Sequence, residues 1–128
     1  MDYEVIKECT LLSENTPFSE IVGRLANANI ELYYADLLVP SKTYYSKNEA
    51  FVVPFSLKSE KYVGAAFNAD HVVQALCRIQ SGQIQYPEFL RQIMEAGVVS
   101  YFVFIKGRRA IYFGRLGEQY IEQFPDKI

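Results

Sequence analysis

Cysteine and histidine are scarce in this 128-residue sequence, and their scarcity excludes several kinds of site at once. Two cysteines, Cys9 and Cys77, stand too far apart in the chain for a disulfide framework or a Cys-x-x-Cys metal site, so both are expected to be buried free thiols. The only histidine, His71, cannot build a His/Cys zinc cluster, and neither a phosphate-binding glycine loop nor a Gly-x-Ser-x-Gly elbow occurs. No metal or cofactor is expected. His71 precedes Cys77 by six positions, about 120° around a helix, which argues against a thiol–imidazole dyad.

Excess charge and long apolar runs are missing too. The formal net charge is −2, with six basic and nine acidic residues in 1–67 against seven and six in 68–128, so no global attraction to nucleic acid or membrane follows. No apolar run approaches the roughly 18 residues of a membrane span. The opening MDYEVIKECT lacks the basic and apolar regions of a signal peptide, and the cytoplasm is the expectation. Without Pro/Gly/Ser tracts or like-charge blocks, and with half its residues apolar, the chain reads as one globular domain, 1–128.

What the sequence does contain is an echo of itself. At an offset of 68, Val5 meets Val73, Cys9 Cys77, Ser13 Ser81, Glu20 Glu88, Ala28 Ala96, Tyr33 Tyr101 and Tyr44 Tyr112. After one inserted residue Phe51 meets Tyr120 and Phe55 meets Phe124. A fixed offset is the mark of a repeated supersecondary unit, here about 1–57 and 68–128 joined by 58–67.

Each unit reads as two helices and three strands. Phe18, Ile21, Val22 and Leu25 fall on one helical stripe, and Tyr86, Phe89, Leu90 and Ile93 repeat it. Asn29 and Gly97 then supply the left-handed stops. Earlier helices are expected from about Tyr3 to Leu12, capped by Asp2, and from Ala69 to Gln80, capped by Asn68 or Asp70. Beyond the stops the period becomes two, giving hairpins that reverse at Val39-Pro40-Ser41-Lys42 and Gly107-Arg108-Arg109-Ala110. Third strands follow at Phe51 to Phe55 and Tyr120 to Phe124, ended by Pro54 and Pro125, and 56–67 could add a strand. The expected fold class is α+β, an internal duplication of an α-α-β-β-β unit with antiparallel sheet and helices on one face.

Alternation sets Tyr33, Ala35 and Leu37 with Tyr101, Val103 and Ile105 against the helices, yet the opposite face carries Leu32, Tyr34, Leu38, Phe102 and Phe104 where polar residues are usual. Three explanations fit: burial between the repeats, a homo-oligomer interface, or a surface for a protein partner or ligand. Gly82, the pair Tyr86 and Phe89, the stop Ala96-Gly97-Val98, Tyr101, Tyr112, Gly114, Gly117, and Glu122 with Pro125 resemble the C-terminal half of the YdfO-like domain-of-unknown-function family, bacterial and prophage proteins often labelled phage envelope protein. The resemblance implies an α+β fold and a bacterial or mobile-element origin, and it brings no catalytic residue.

Two further groups complete the candidates. Arg108, Arg109 and Arg115, with Lys106, adjoin Tyr112 and Phe113, and basic side chains beside aromatic rings suit nucleic acid; a charged hairpin tip is the simpler explanation, and the matching loop offers only Lys42 and Lys47. Glu20 and Glu88, equated by the offset, could form an acid/base pair, although a carboxylate in the first turn of a helix is accounted for by the dipole. The expected function is a non-catalytic binding or protein-interaction module working through Tyr34, Phe102 and Phe104, with nucleic-acid binding and an uncharacterised enzyme as alternatives.

Overall fold

The computed structural model describes residues 1–13, 15–58, 60 and 62–124. Helices α1 (Tyr3–Leu12) and α2 (Phe18–Asn27) lead into strands β1 (Leu32–Asp36), β2 (Ser41–Tyr45) and β3 (Ala50–Pro54). Helices α3 (Ala69–Gln80) and α4 (Tyr86–Glu95) then lead into β4 (Val98–Phe104), β5 (Arg109–Gly114) and β6 (Gln119–Gln123). The order α-α-β-β-β thus occurs twice. All six strands form one antiparallel sheet in the order β3-β2-β1-β4-β5-β6, so the halves meet edge to edge at β1 and β4.

That junction is symmetric. Tyr34 lies opposite Phe102, flanked by Leu32 opposite Phe104 and Asp36 opposite Ser100. Because 34 and 102 differ by 68, the pair that faces itself across the ladder is also the pair equated by the sequence offset.

Local chemistry fixes the ends of the elements. The Asp2 carboxylate accepts from the Val5 amide (3.2 Å) and the Asn68 side chain from the His71 amide (3.1 Å), so Asn68 rather than Asp70 caps α3. Pro17 sits at the N-cap of α2 and Pro87 in the first turn of α4. Asn29 (φ 65°) and Gly97 (φ 95°) are both left-handed, as their positions after the stripes require. At Gly97 a second demand is added. The segment before α3 runs over this stop, with the Gly64 amide donating to the Met94 carbonyl (2.9 Å) and the Asn68 amide to the Ala96 carbonyl (2.8 Å). A Cβ at Gly97 would lie 2.5 Å from the Ala66 carbonyl oxygen.

The core lies between the helices and one face of the sheet. Ile6, Cys9, Ile21, Leu25, Val72, Leu76, Phe89 and Ile93 pack with Tyr33, Ala35, Leu37, Tyr44, Tyr101, Val103, Ala110 and Tyr112. Every helix contributes to this cluster and no outward residue of a strand does, so the sheet is covered on one side.

Several expectations need correction. The reversals occupy residues 37–40 and 105–108, both two positions earlier than expected, and Asp36 organises the first by accepting from the Leu38 and Val39 amides (2.9 and 3.0 Å). Lys42 and Arg109 therefore belong to strands. The third strands are Ala50–Pro54 and Gln119–Gln123, no strand occurs among the described residues of 56–67, and Pro125 lies outside the described residues. Cys9 is buried but Cys77 is exposed: helix α3 turns Val72, Ala75 and Leu76 inward and Cys77 away.

Candidate functional site

The open face of the sheet is the first candidate surface. Its centre is aromatic: Tyr34 and Phe102 rings lie 4.8 Å apart across the β1–β4 ladder, Phe102 stacks on Phe104 at 5.4 Å, and Phe113 meets Phe102 edge-on at 6.3 Å. Around it stand Leu32, Tyr45 and Ile111, with Val52 and Ile121 more exposed at the margins. Alternation through the six strands leaves Asp36 and Arg109 as the charged residues of that face. Such a face is unusual for a sheet turned to water.

The basic hairpin is more scattered than the sequence suggested. Lys106 pairs with Glu31 (3.0 Å) and Arg109 is exposed in β5. Arg115 is exposed in the β5–β6 turn, while Arg108 is half-buried in a left-handed conformation (φ 58°), its Nη2 buried without a hydrogen bond among the described residues. Tyr112 points the other way. It is buried in the core with its hydroxyl donating to Glu122 (3.2 Å), so it offers no ring face to a surface ligand.

Each glutamate of the suspected pair is tied to its own helix. Glu20 approaches Arg24 (3.6 Å), and Glu88 is clamped by Arg91 (2.6 Å) and Gln92 (2.8 Å). The hydrogen bonds from Arg91 and Gln92 hold the Glu88 carboxyl down at about 2, which suits an ion pair and is opposite to the raised value of a general acid. His71 lies on the exposed side of α3, and no group of three or more His, Cys, Asp or Glu suited to a metal occurs among the described residues.

The interior holds what the sequence reading missed. Five tyrosines, Tyr33, Tyr44, Tyr86, Tyr101 and Tyr112, converge between sheet and helices, and burial raises all five hydroxyls above the ordinary tyrosine value. Tyr44 bonds Thr10 (2.7 Å), Tyr86 bonds Tyr101, and Tyr112 bonds Glu122, which Gln80 also reaches (2.7 Å). Beside them lies Lys42, 2% exposed. Its Nζ sits 4.5 Å from the Tyr86 ring centroid, 5.5 Å from Tyr33 and 5.8 Å from Phe55, and no acceptor among the described residues takes a hydrogen bond from it. Desolvation pushes its ammonium down to about 7. The ring faces oppose that shift in part, because they attract the charged form.

Lys42 lines a small pocket opening between the first turn of α4 and the segment after β3. Its water-accessible volume is about 30 Å³, space for a water or two. Thr10, Tyr86 and Leu90 line it from the helices, and Phe55, Ser56 and Leu57 from the segment. Lys58 and Arg91 stand at it as well, and no carboxylate is among the described residues that line it.

Residues 9–123 match the model of a family described as protein of unknown function (DUF1398). The chain belongs to this family. Membership of DUF1398 supports the broad resemblance, an uncharacterised domain family, and leaves the YdfO-like and phage-envelope labels without a finding of their own. No curated protein matches the chain. Among its described residues, no helix is long and apolar enough to cross a membrane.

Proposed function

We propose that this DUF1398 chain is a cytoplasmic, non-catalytic binding module built from two α-α-β-β-β repeats, and that the open face of its sheet binds a second copy of the chain. The aromatic strip Tyr34, Phe102, Phe104 and Phe113 carries the reading. Six strands about 4.8 Å apart, each about five residues long at roughly 3.3 Å per residue, give the face a projected area near 500 Å². Two such faces together bring about 1,000 Å² into contact, the lower bound for a specific interface. Sheets pack in this way at about 10 Å with a small angle between strand directions, and a face with so little charge loses little on desolvation.

The test is self-association. Sedimentation and light scattering over a concentration series are expected to show a monomer–dimer equilibrium for the native chain and a folded monomer for Phe102→Ser/Phe104→Ser. Val52→Lys/Ile121→Lys, altered at the exposed margins, serves if the aromatic variant does not fold. A native chain that stays monomeric throughout, or marginal lysines that leave the dimer as tight as before, overturns the reading.

A further inference from the structure

We infer that the pocket at Lys42 is a binding site for a small carboxylate, with the Lys42 ammonium holding the carboxylate head and an apolar tail leaving past Leu57 and Leu90. Three observations converge on it. Lys42 is 2% exposed and lacks a hydrogen-bonding partner among the described residues, although a buried ammonium has three donors to satisfy. Second, it borders a pocket into which a carboxylate head fits and a bulky ligand does not. Third, the pocket lies at Tyr86 and Pro87, the first turn of the ten-residue helix α4, whose N-cap Gln85 provides no side-chain cap; the positive end of that helix therefore favours an anion.

The rest of the lining selects among anions. Thr10 brings a hydroxyl, already engaged with the Ile6 carbonyl (3.0 Å) and Tyr44 (2.7 Å), so its free capacity is small. Ser56 brings another at the exposed rim, and Arg91, which also stands there, is paired with Glu88 and Glu95. One buried cation between aromatic and aliphatic walls matches a singly charged planar head with an apolar tail. A phosphate would bring more charge and more oxygens than these groups can satisfy.

The site belongs to one half only. The sequence offset places Ala110, buried, where the other half has Lys42. A residue needed only for packing has this apolar solution available in the same fold, so the lysine calls for a reason of its own.

Acetate, propionate and butyrate, titrated at matched ionic strength against chloride, are the probes. In ¹H–¹³C NMR of the native chain, saturable shifts are expected at Thr10, Tyr86 and Leu90, with affinity in the millimolar range for acetate and rising with tail length. Lys42→Met is expected to weaken binding tenfold or more while keeping the native circular dichroism. Should that variant fail to fold, the localisation of shifts in the native chain decides. Shifts absent or spread over the surface lysines, Lys42→Met binding as tightly as the native chain, or inorganic phosphate binding in preference to carboxylates each overturn the assignment.

Discussion

The two halves share their elements and differ in what they bury. In the first, the inward face of the sheet carries Lys42 beside Tyr33 and Tyr44, and Tyr44 is satisfied by Thr10 from α1. In the second, Ala110 replaces the lysine and Glu122, where the first half has Val53, accepts from Tyr112. Paired tyrosines are common to both, at 5.4 Å for Tyr33 with Tyr44 and 5.3 Å for Tyr101 with Tyr112. The scaffold is thus indifferent to which ionisable group accompanies the tyrosines. A packing requirement alone would have produced similar neighbours on both sides, so the difference locates where requirements other than folding act.

The helix stops differ for a reason internal to the fold. Gly97 is crossed by the segment 64–68, whose Gly64 and Asn68 amides donate to the Met94 and Ala96 carbonyls, whereas among the described residues no segment is hydrogen-bonded across Asn29 in this way. The largest effect is therefore expected at Gly97→Ala, where a left-handed alanine must also displace backbone at Ala66 and Phe67. A loss of about 2–4 kcal/mol is expected in denaturant melts, combining strain at positive φ with overpacking against atoms that cannot rotate away. A loss under about 1 kcal/mol would show that the crossing segment yields easily and that the halves are more alike than their geometry indicates.

The next effect separates the interiors. Facing Lys42 are Cys9 from α1, Tyr33 and Tyr44 from the sheet, Tyr86 and Arg91 from α4, and Lys58 after β3. Burial lowers Lys42 from 10.5 to about 7, so above pH 7 the unfolded chain holds a proton that the folded chain has released. Stability then rises with pH through this window, and its penalty is fully present below pH 7. From pH 7 to 9 the gain is roughly 2 kcal/mol, less whatever the ring faces return to the charged form. Above this range the raised Cys9 thiol and the raised tyrosines act in the opposite sense, because the unfolded chain loses their protons first. Lys42→Met is expected to flatten the rise and to stabilise the protein near pH 6. A native profile that is level from pH 7 to 9 would mean that Lys42 remains charged in place.

The elements were legible in the sequence because each carries its own signal: stripes of four apolar residues for α2 and α4, Asp2 and Asn68 as caps, Asn29 and Gly97 as stops, and alternation through Tyr33 to Leu37 and Tyr101 to Ile105. The arrangement of the strands was not, since two separate sheets satisfy the same alternation as one. The β1–β4 ladder, in which Tyr34 meets Phe102, decides that point and leaves the aromatic face open. Lys42 was hidden by Pro40, which suggested a turn extending into Ser41 and Lys42. Counting back by two from the inward Tyr44 reaches Lys42, a signal present in the sequence but masked by the presumption that a lysine beside a proline lies in a loop. Cys77 misled in the reverse direction: its equivalence to Cys9 suggested burial, whereas a two-position shift in which residues α3 turns inward (Val72, Ala75 and Leu76, against Ile6, Cys9 and Thr10 in α1) exposes it.

The smallest effect isolates the crossing segment itself. Asn29 is exposed and left-handed, with its amide donating to the Ala26 carbonyl (3.0 Å) and the following Ile30 amide to the Leu25 carbonyl (3.0 Å), so its backbone, not its side chain, closes α2. Asn29→Gly removes the small cost of a Cβ at positive φ and adds unfolded-state freedom, two terms of opposite sign and similar size. The expected change is neutral to slightly stabilising, within a few tenths of a kcal/mol. Asn29→Ala, by contrast, should cost about 1 kcal/mol, the left-handed penalty without any obstruction. Subtracting that value from the loss at Gly97→Ala leaves the contribution of the contact between the stop and the segment 64–68. Equal losses at the two alanines would remove the distinction between the halves at this point, and the glycine would be explained by its φ alone.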